Sequence, residues 1–237
     1  MPAEHIAAAV KAIDGDLAPM VVRFDDGPSL VGRVAVLPSA FNPPTVAHVR
    51  LLEIATKVEG VTRLAALLTT RNVAKGVFGA SLAQRVEMLL ALHRRRPEIA
   101  VLCTNQARIV DQALALADAL PAACFDFIVG YDTLVRFFDP AYYRDMTAET
   151  AAYFERSRLI ATNRGEATIA EVRAFVERPE VRPFRDRIVL REIEKEPASA
   201  SSTAVRTLLE NGGHPVAVPD EVRDYVLRHR LYVEHID

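Results

Sequence analysis

Short apolar runs alternate with amphipathic helical patterns from residue 33 onward, and few residues connect one segment to the next. Such runs have the length and composition of strands that a parallel sheet buries on both faces. Parallel neighbours need a crossover connection, usually a helix, so the alternation predicts an α/β fold with a doubly wound parallel sheet. The predicted strands cover residues 34–37, 64–68, 99–103, 125–129, 158–161 and 188–190, and the predicted helices cover residues 46–58, 82–95, 109–119, 133–138 and 169–177.

The composition is that of an ordinary globular protein. The chain has 237 residues, of which 50% are hydrophobic and 25% are charged, so it can bury a sizeable core. Its net charge of -2 creates no overall field that would attract nucleic acid or an anionic membrane. No apolar run approaches the ~18 residues of a membrane span, and the N-terminus lacks the pattern of a signal peptide. We therefore expect a soluble cytoplasmic protein with neither nucleic-acid nor membrane partners.

The two cysteines, Cys103 and Cys124, fall inside apolar strand-like runs and lack the spacing of metal ligands. We interpret them as core thiols of a reducing compartment, with no disulfide framework and no protein metal site.

The first 32 residues form a leader before the main domain, which covers residues 33–237. Residues 6–13 predict a helix and residues 20–24 a short strand. We expect this leader to add either an edge strand to the sheet or a contact between copies of the chain in a homo-oligomer.

Residues 34–48 predict a buried strand, a tight loop and the first turn of a helix. Ser39 and Ala40 are small, so the backbone there can approach a ligand closely, and Phe41 follows them in the loop. Thr45 and His48 are three residues apart and therefore project from one face of the first helical turn. A hydroxyl and an imidazole beside the N–H groups of a helix N-terminus predict a phosphate site at the carboxyl edge of the sheet.

A second hydroxyl-rich helix start lies near residue 200. Ser201, Ser202 and Thr203 precede and open a helix predicted to end at residue 210. Arg206 lies one turn in, on the same face as Thr203, where its guanidinium can bind two phosphate oxygens at once. This combination predicts a triphosphate site.

Three further segments follow predicted strands and carry candidate ligand contacts. The loop at residues 69–81 contains Lys75, a candidate phosphate contact, and leads to Arg85, which we interpret as a surface helix residue. Gly130 allows a tight turn, after which Asp132 is predicted to cap the next helix and to accept hydrogen bonds from a ribose. The aromatic residues between positions 136 and 143 are interpreted as core, with stacking on a ligand ring as the alternative.

Residues 40–48 resemble the (H/T)-x-G-H signature of the nucleotidyltransferase superfamily, in the form found in nicotinate and nicotinamide mononucleotide adenylyltransferases. Residues 201–206 resemble the S-S-T-x-(I/V)-R motif of those enzymes, residues 130–132 their G-x-D segment, and residues 219–232 their C-terminal helix and final Leu-Tyr. The resemblance implies a Rossmann-like fold with C-terminal helices. It also implies adenylyl transfer from ATP to a pyridine mononucleotide.

The resemblance also assigns expected roles to individual residues. His48 and Thr45 would hold the α-phosphate of ATP, and Arg206 with residues 201–203 would hold the β- and γ-phosphates. Asp132 would orient the nucleotide, and Lys75 and Arg164 would lie near the mononucleotide. Mg²⁺ would arrive with ATP and keep mostly water ligands, without a dedicated protein cage.

Two alternatives remain open at the level of sequence. One is another transferase of the superfamily, such as a pantetheine-phosphate adenylyltransferase or a cytidylyltransferase. The other is a non-catalytic nucleotide-binding sensor, because Ala47 and the pair Ser39-Ala40 stand where the family commonly has glycine. The choice between nicotinate and nicotinamide mononucleotide is also open, since it depends on one or two polar contacts.

Overall fold

The computed structural model describes residues 2–71, 79–164, 167–194, 201–215 and 217–233. Seven strands form one sheet in the order β1-β4-β3-β2-β5-β6-β7. All neighbouring pairs are parallel except β1 and β4, so β1 is an antiparallel edge strand contributed by the leader. The strands are β1 Val21–Arg23, β2 Gly32–Ser39, β3 Val61–Thr69, β4 Ile99–Thr104, β5 Ala123–Gly130, β6 Arg158–Thr162 and β7 Ile188–Arg191.

Helices connect the parallel strands, which confirms the predicted α/β class and its doubly wound sheet. Those between residues 82 and 119 have the predicted bounds, whereas α2 ends at Ala55, three residues earlier than predicted. The helix α6 was not predicted. The helices are α1 Ala3–Gly15, α2 Val46–Ala55, α3 Leu82–Arg95, α4 Ile109–Ala119, α5 Tyr131–Phe137, α6 Met146–Arg156, α7 Ile169–Val176, α8 Ser202–Glu210 and α9 Asp220–Arg228.

The sheet separates two hydrophobic layers because alternate residues of each strand point to opposite faces. In β2, Ala35 and Leu37 pack with α1, α2 and α3, whereas Val34 and Val36 pack with α4 to α7. The second layer takes up Phe137 and Phe138, so these aromatic residues are core, as predicted. A third cluster packs α8 and α9 against α3.

One buried carboxylate links three adjacent strands. Asp126 of β5 accepts from Arg33 of β2 at 2.6 Å and from Arg158 of β6 at 2.6 Å, and its side chain is fully buried. Both arginines remain partly exposed, so the charge network reaches solvent at its ends. These ion pairs fix the three strands relative to one another.

Within the described residues, none of the helices is both long and apolar enough to cross a bilayer. Cys103 is buried in β4, as predicted, and Cys124 is partly buried; both are free thiols.

Candidate active site

The loop between β2 and α2 lies at the carboxyl edge of the sheet, where the sequence predicts a phosphate site. Phe41 is buried in a left-handed conformation with φ of 44°, and the following Asn42–Pro43 peptide bond is cis. The Val46 N–H donates to the carbonyl of Ala217 at 3.0 Å, which attaches the start of α2 to the C-terminal region. Ser39 and Ala40, which precede Phe41, are partly exposed.

His48 is buried, and its ring is held from both sides. The backbone N–H of Thr45 donates to Nδ1 at 2.9 Å, and the Thr45 hydroxyl lies 2.8 Å from the same nitrogen. A backbone N–H can only donate, so Nδ1 is an acceptor and the proton of the neutral ring is on Nε2. Nε2 lies 3.0 Å from the Ser39 hydroxyl, to which it donates.

The electrostatic surroundings keep this imidazole neutral. Burial, and then the nearby charge of Arg164, lower the pKa of His48 well below 6.5. If Nδ1 were protonated, its N–H would face the backbone N–H of Thr45, and two donors cannot form a hydrogen bond with each other. His48 therefore presents a neutral Nε2–H donor to the Ser39 hydroxyl, at the carboxyl edge of the sheet.

The N-terminus of α8 is attached directly to this loop. Ser201 caps the helix, since its hydroxyl accepts from the Ala204 N–H at 3.1 Å. Ser202 donates its hydroxyl to the carbonyl of Pro43 at 2.8 Å. Arg206 donates to the carbonyl of Asn42 at 2.6 Å and lies 3.2 Å from the Thr203 hydroxyl. The two predicted phosphate motifs, about 160 residues apart, therefore meet in one place.

The ends of β5 and β6 form another side of the site. A Cβ at Gly130 would lie 3.3 Å from the Cβ of Arg164, so the absence of a side chain lets this arginine pack closely. Burial lowers the pKa of Arg164, and its charge acts on His48. The cap predicted at Asp132 is wrong, because α5 begins at Tyr131 and Gly130 is its N-cap residue. Asp132 is instead an exposed residue in the first turn of α5, where its charge complements the helix dipole.

The comparisons with known proteins agree with these motifs. No family model matches the sequence. A putative nicotinamide mononucleotide adenylyltransferase from Schizosaccharomyces pombe is 27% identical over 135 residues, which are 55% of this chain and 53% of the relative. The chain thus spans about half the length of the curated relative that it matches. The sequence of this chain thus resembles that of a mononucleotide adenylyltransferase.

Solved structures support the same fold. The nicotinic acid mononucleotide adenylyltransferase of Plasmodium falciparum, complexed with NaAD, matches with a TM-score of 0.63 and 16% identity, over 84% of this chain and 97% of that one. The same enzyme complexed with APC matches with a TM-score of 0.62 and 14% identity, over 85% of this chain and 97% of that one. A putative nicotinate-nucleotide adenylyltransferase from Vibrio parahaemolyticus matches with a TM-score of 0.50 and 15% identity, over 82% of this chain and 98% of that one. At these identities the likeness confirms the Rossmann-like fold.

The surface position predicted for one candidate residue is wrong. Arg85, interpreted as a surface residue, is buried, and it donates to the carbonyls of Ala80 at 2.9 Å and Ala40 at 3.3 Å. Its spacing could have revealed this, because it lies four residues before the buried Leu89 on the apolar face of α3. Lys75 lies outside the described residues.

Proposed function

We propose that this protein transfers the adenylyl group of ATP to a pyridine mononucleotide, giving a dinucleotide and pyrophosphate. The observation that supports this best is the junction between the β2–α2 loop and the N-terminus of α8. It brings an imidazole donor, several hydroxyl groups and a guanidinium to one edge of the sheet. The resemblance to mononucleotide adenylyltransferases names the substrate class.

The reaction needs no protein nucleophile. A phosphate oxygen of the mononucleotide attacks the α-phosphorus of ATP, a new P–O bond forms, and the bond from the α-phosphorus to the β-bridging oxygen breaks. The electron pair of that bond leaves with pyrophosphate. Catalysis then consists of holding the two phosphates in line and stabilising the charge on the oxygens that do not take part in the new bond.

His48 is the donor for the α-phosphate in this proposal. Thr45 occupies Nδ1, so the proton on Nε2 points towards the Ser39 hydroxyl. An α-phosphate oxygen can accept from Nε2–H directly, or from the Ser39 hydroxyl that itself accepts from His48. A neutral ring suits this role because it donates a hydrogen bond without transferring a proton to the phosphate.

The N-terminus of α8 holds the leaving group. Arg206 and the hydroxyls of Ser201, Ser202 and Thr203 would contact the β- and γ-phosphates beside the positive end of the helix dipole. The carbonyl of Asn42 supports one end of the Arg206 guanidinium and so holds this group beside the N-terminus of α8.

The mononucleotide would then lie towards β5 and β6. Arg164 and Lys75 would approach its phosphate, and Asp132 would accept hydrogen bonds from a ribose. Ala40 and Phe41 would line the nucleotide where the backbone of the loop is close.

ATP would enter as its magnesium complex. In the part of the chain that the structure describes, no three His, Cys, Asp or Glu side chains lie together as a metal site. In this proposal phosphate oxygens and water hold the metal, as Mg²⁺ commonly binds with substrate phosphates.

A side-by-side assay tests the proposal. Purified protein is mixed with ATP, Mg²⁺ and either nicotinate or nicotinamide mononucleotide, and dinucleotide and pyrophosphate are measured together. We expect equal amounts of both products with at least one acceptor, and the ratio of kcat/KM values names the preferred acceptor. Binding of ATP without product from either acceptor would contradict adenylyl transfer to these substrates and favour a nucleotide sensor.

The role of His48 is tested in the same assay. We expect His48→Ala to lower kcat by roughly two orders of magnitude, because one preorganised donor to the reacting phosphate is lost. His5→Ala is the control, since it removes an exposed imidazole from α1. Near-normal turnover in a folded His48→Ala protein would exclude His48 from the mechanism.

A further inference from the structure

Asn42 joins the β2–α2 loop to two distant parts of the chain. Its backbone carbonyl accepts from Arg206 of α8 at 2.6 Å. Its side-chain Oδ1 accepts from the Tyr232 hydroxyl at 2.8 Å and from the Ala80 N–H at 3.3 Å. One residue of the loop therefore contacts the phosphate-binding arginine, the start of the segment before α3 and the C-terminal end of the described chain.

Tyr232 is held closely in this position. Its backbone is left-handed, with φ of 64°, and its side chain is partly buried. Gly79 lies against it, since a Cβ there would come within 3.0 Å of both the Tyr232 ring and Asn42 Oδ1. Burial raises the pKa of Tyr232, so the hydroxyl keeps its proton and acts as a donor.

We infer that Tyr232 is a positioning residue for ATP, which acts through Asn42 on the loop and on Arg206. This inference rests on the proposed function of the same site. Tyr232 is 190 residues from Asn42 in the sequence, so a residue near the C-terminus helps to hold the loop that follows β2.

The hydroxyl matters because it fixes the orientation of the Asn42 side chain. Without it, Oδ1 loses the shorter of the hydrogen bonds that it accepts from Tyr232 and Ala80, and the Asn42 side chain is held less firmly. The Asn42 carbonyl belongs to the same residue and supports Arg206. A looser Asn42 therefore places the guanidinium less accurately, and small errors in the position of a binding group lower the rate of phosphoryl-type transfer.

The test is Tyr232→Phe, with Tyr225→Phe as the matched control. Tyr225 lies in α9 and donates its hydroxyl to Glu87 of α3, so its replacement also removes one hydrogen bond of the C-terminal region but leaves the loop untouched. We expect Tyr232→Phe to weaken ATP binding and to lower kcat/KM for ATP about five- to tenfold. Tyr225→Phe should keep kcat/KM within about twofold of the wild-type value, because no contact of the loop is lost.

A double-mutant cycle separates positioning from a general loss of stability. In an Asn42→Ala background, Tyr232→Phe should have little further effect on kcat/KM, because its partner is already gone. Additive effects in the cycle would overturn the inference. So would unchanged kcat/KM in Tyr232→Phe, or equal losses in the Tyr232 and Tyr225 variants.

Calorimetric titration with ATP and Mg²⁺ makes the test independent of turnover. If wild-type protein converts neither mononucleotide, the proposed function fails, yet the ratio of ATP dissociation constants still tests Tyr232. An unchanged constant in Tyr232→Phe would then refute its positioning role, and a several-fold weaker one would support it.

Discussion

Asp126 is a buried carboxylate on which the arrangement of three strands depends. We expect Asp126→Asn to keep the shape of the side chain but remove both ion pairs, with Arg33 on β2 and Arg158 on β6. The two arginines would then face a neutral amide, and part of their charge would stay inside the protein without compensation.

The magnitude follows from the burial of the partners. Removing one member of a buried ion pair costs about 3–5 kcal/mol, because the remaining charge is desolvated. Here the side chains of Arg33 and Arg158 are 24% and 18% exposed, so both can turn partly towards water. We therefore expect the lower end, about 3 kcal/mol, which corresponds to a fall in Tm of roughly 6–12 °C for a domain of this size.

Urea unfolding at pH 7, followed by circular dichroism, measures this loss. Asp186→Asn is the control, because Asp186 pairs with Arg185 at 3.6 Å with a side chain that is 93% exposed, and it should change the unfolding free energy by less than about 0.5 kcal/mol. A loss below about 1 kcal/mol in Asp126→Asn would refute the view that this carboxylate holds the strands together.

Three further predictions concern the loop itself. Gly79→Ala should lower kcat/KM for ATP about tenfold, because the added Cβ would lie 3.0 Å from Asn42 Oδ1. Gly212→Ala is the control: Gly212 has a similar φ of 73° but no atom near the position of the added Cβ, so this variant should lose only stability. Equal kinetics in the two variants would contradict this. Thr45→Val removes one of the two donors to His48 Nδ1 and should lower kcat about three- to thirtyfold, and unchanged kcat would show that the backbone donor is sufficient. The pKa of His48 in the folded protein lies well below 6.5, so as pH falls the unfolded chain binds a proton at this histidine before the folded protein does. The free energy of unfolding therefore keeps the contribution of His48 above pH 6.5 and loses it as pH falls below that value. Urea unfolding between pH 7 and 5 should show a steeper fall in stability for wild type than for His48→Gln, and parallel curves would contradict the neutral imidazole.

The strands and the two phosphate motifs could be predicted because their signals are local. A buried strand is visible as an apolar run, and a helix start as hydroxyl residues before a helical pattern, as at Ser201. The rule that ligands bind at the carboxyl ends of parallel strands placed only the first of these segments. That residues 34–48 and 199–206 serve one nucleotide was implied by the resemblance to mononucleotide adenylyltransferases. The structure brings these two segments together through Ser202 and Arg206.

The remainder depends on contacts that no local pattern encodes. The hydrogen bond between Asn42 and Tyr232 joins positions 190 residues apart, and neither residue type predicts which residue it will contact. The helix α6 was missed because its buried side chains are confined to Thr150, Tyr153 and Phe154, which is too short an apolar stripe to stand out. The cap at Asp132 was misplaced because α5 begins directly at the end of β5, without the intervening turn that we expected.

Two independent sets of contacts fix the site from below and from above. Below, Asp126 holds β2, β5 and β6, and the carboxyl ends of these strands lead to Ser39, Gly130 and Arg164. Above, Asn42 holds the loop to α8 and to Tyr232. Because preorganised sites need rigid elements as well as correctly aimed side chains, the two sets should fail differently. Asp126→Asn should lower the temperature at which activity is lost while leaving kcat/KM at 25 °C near that of wild type. Tyr232→Phe should lower kcat/KM at 25 °C with only the small stability loss of one hydrogen bond. If both variants lost activity and stability in the same proportion, the loop would have no order of its own, and the site would depend on the sheet alone.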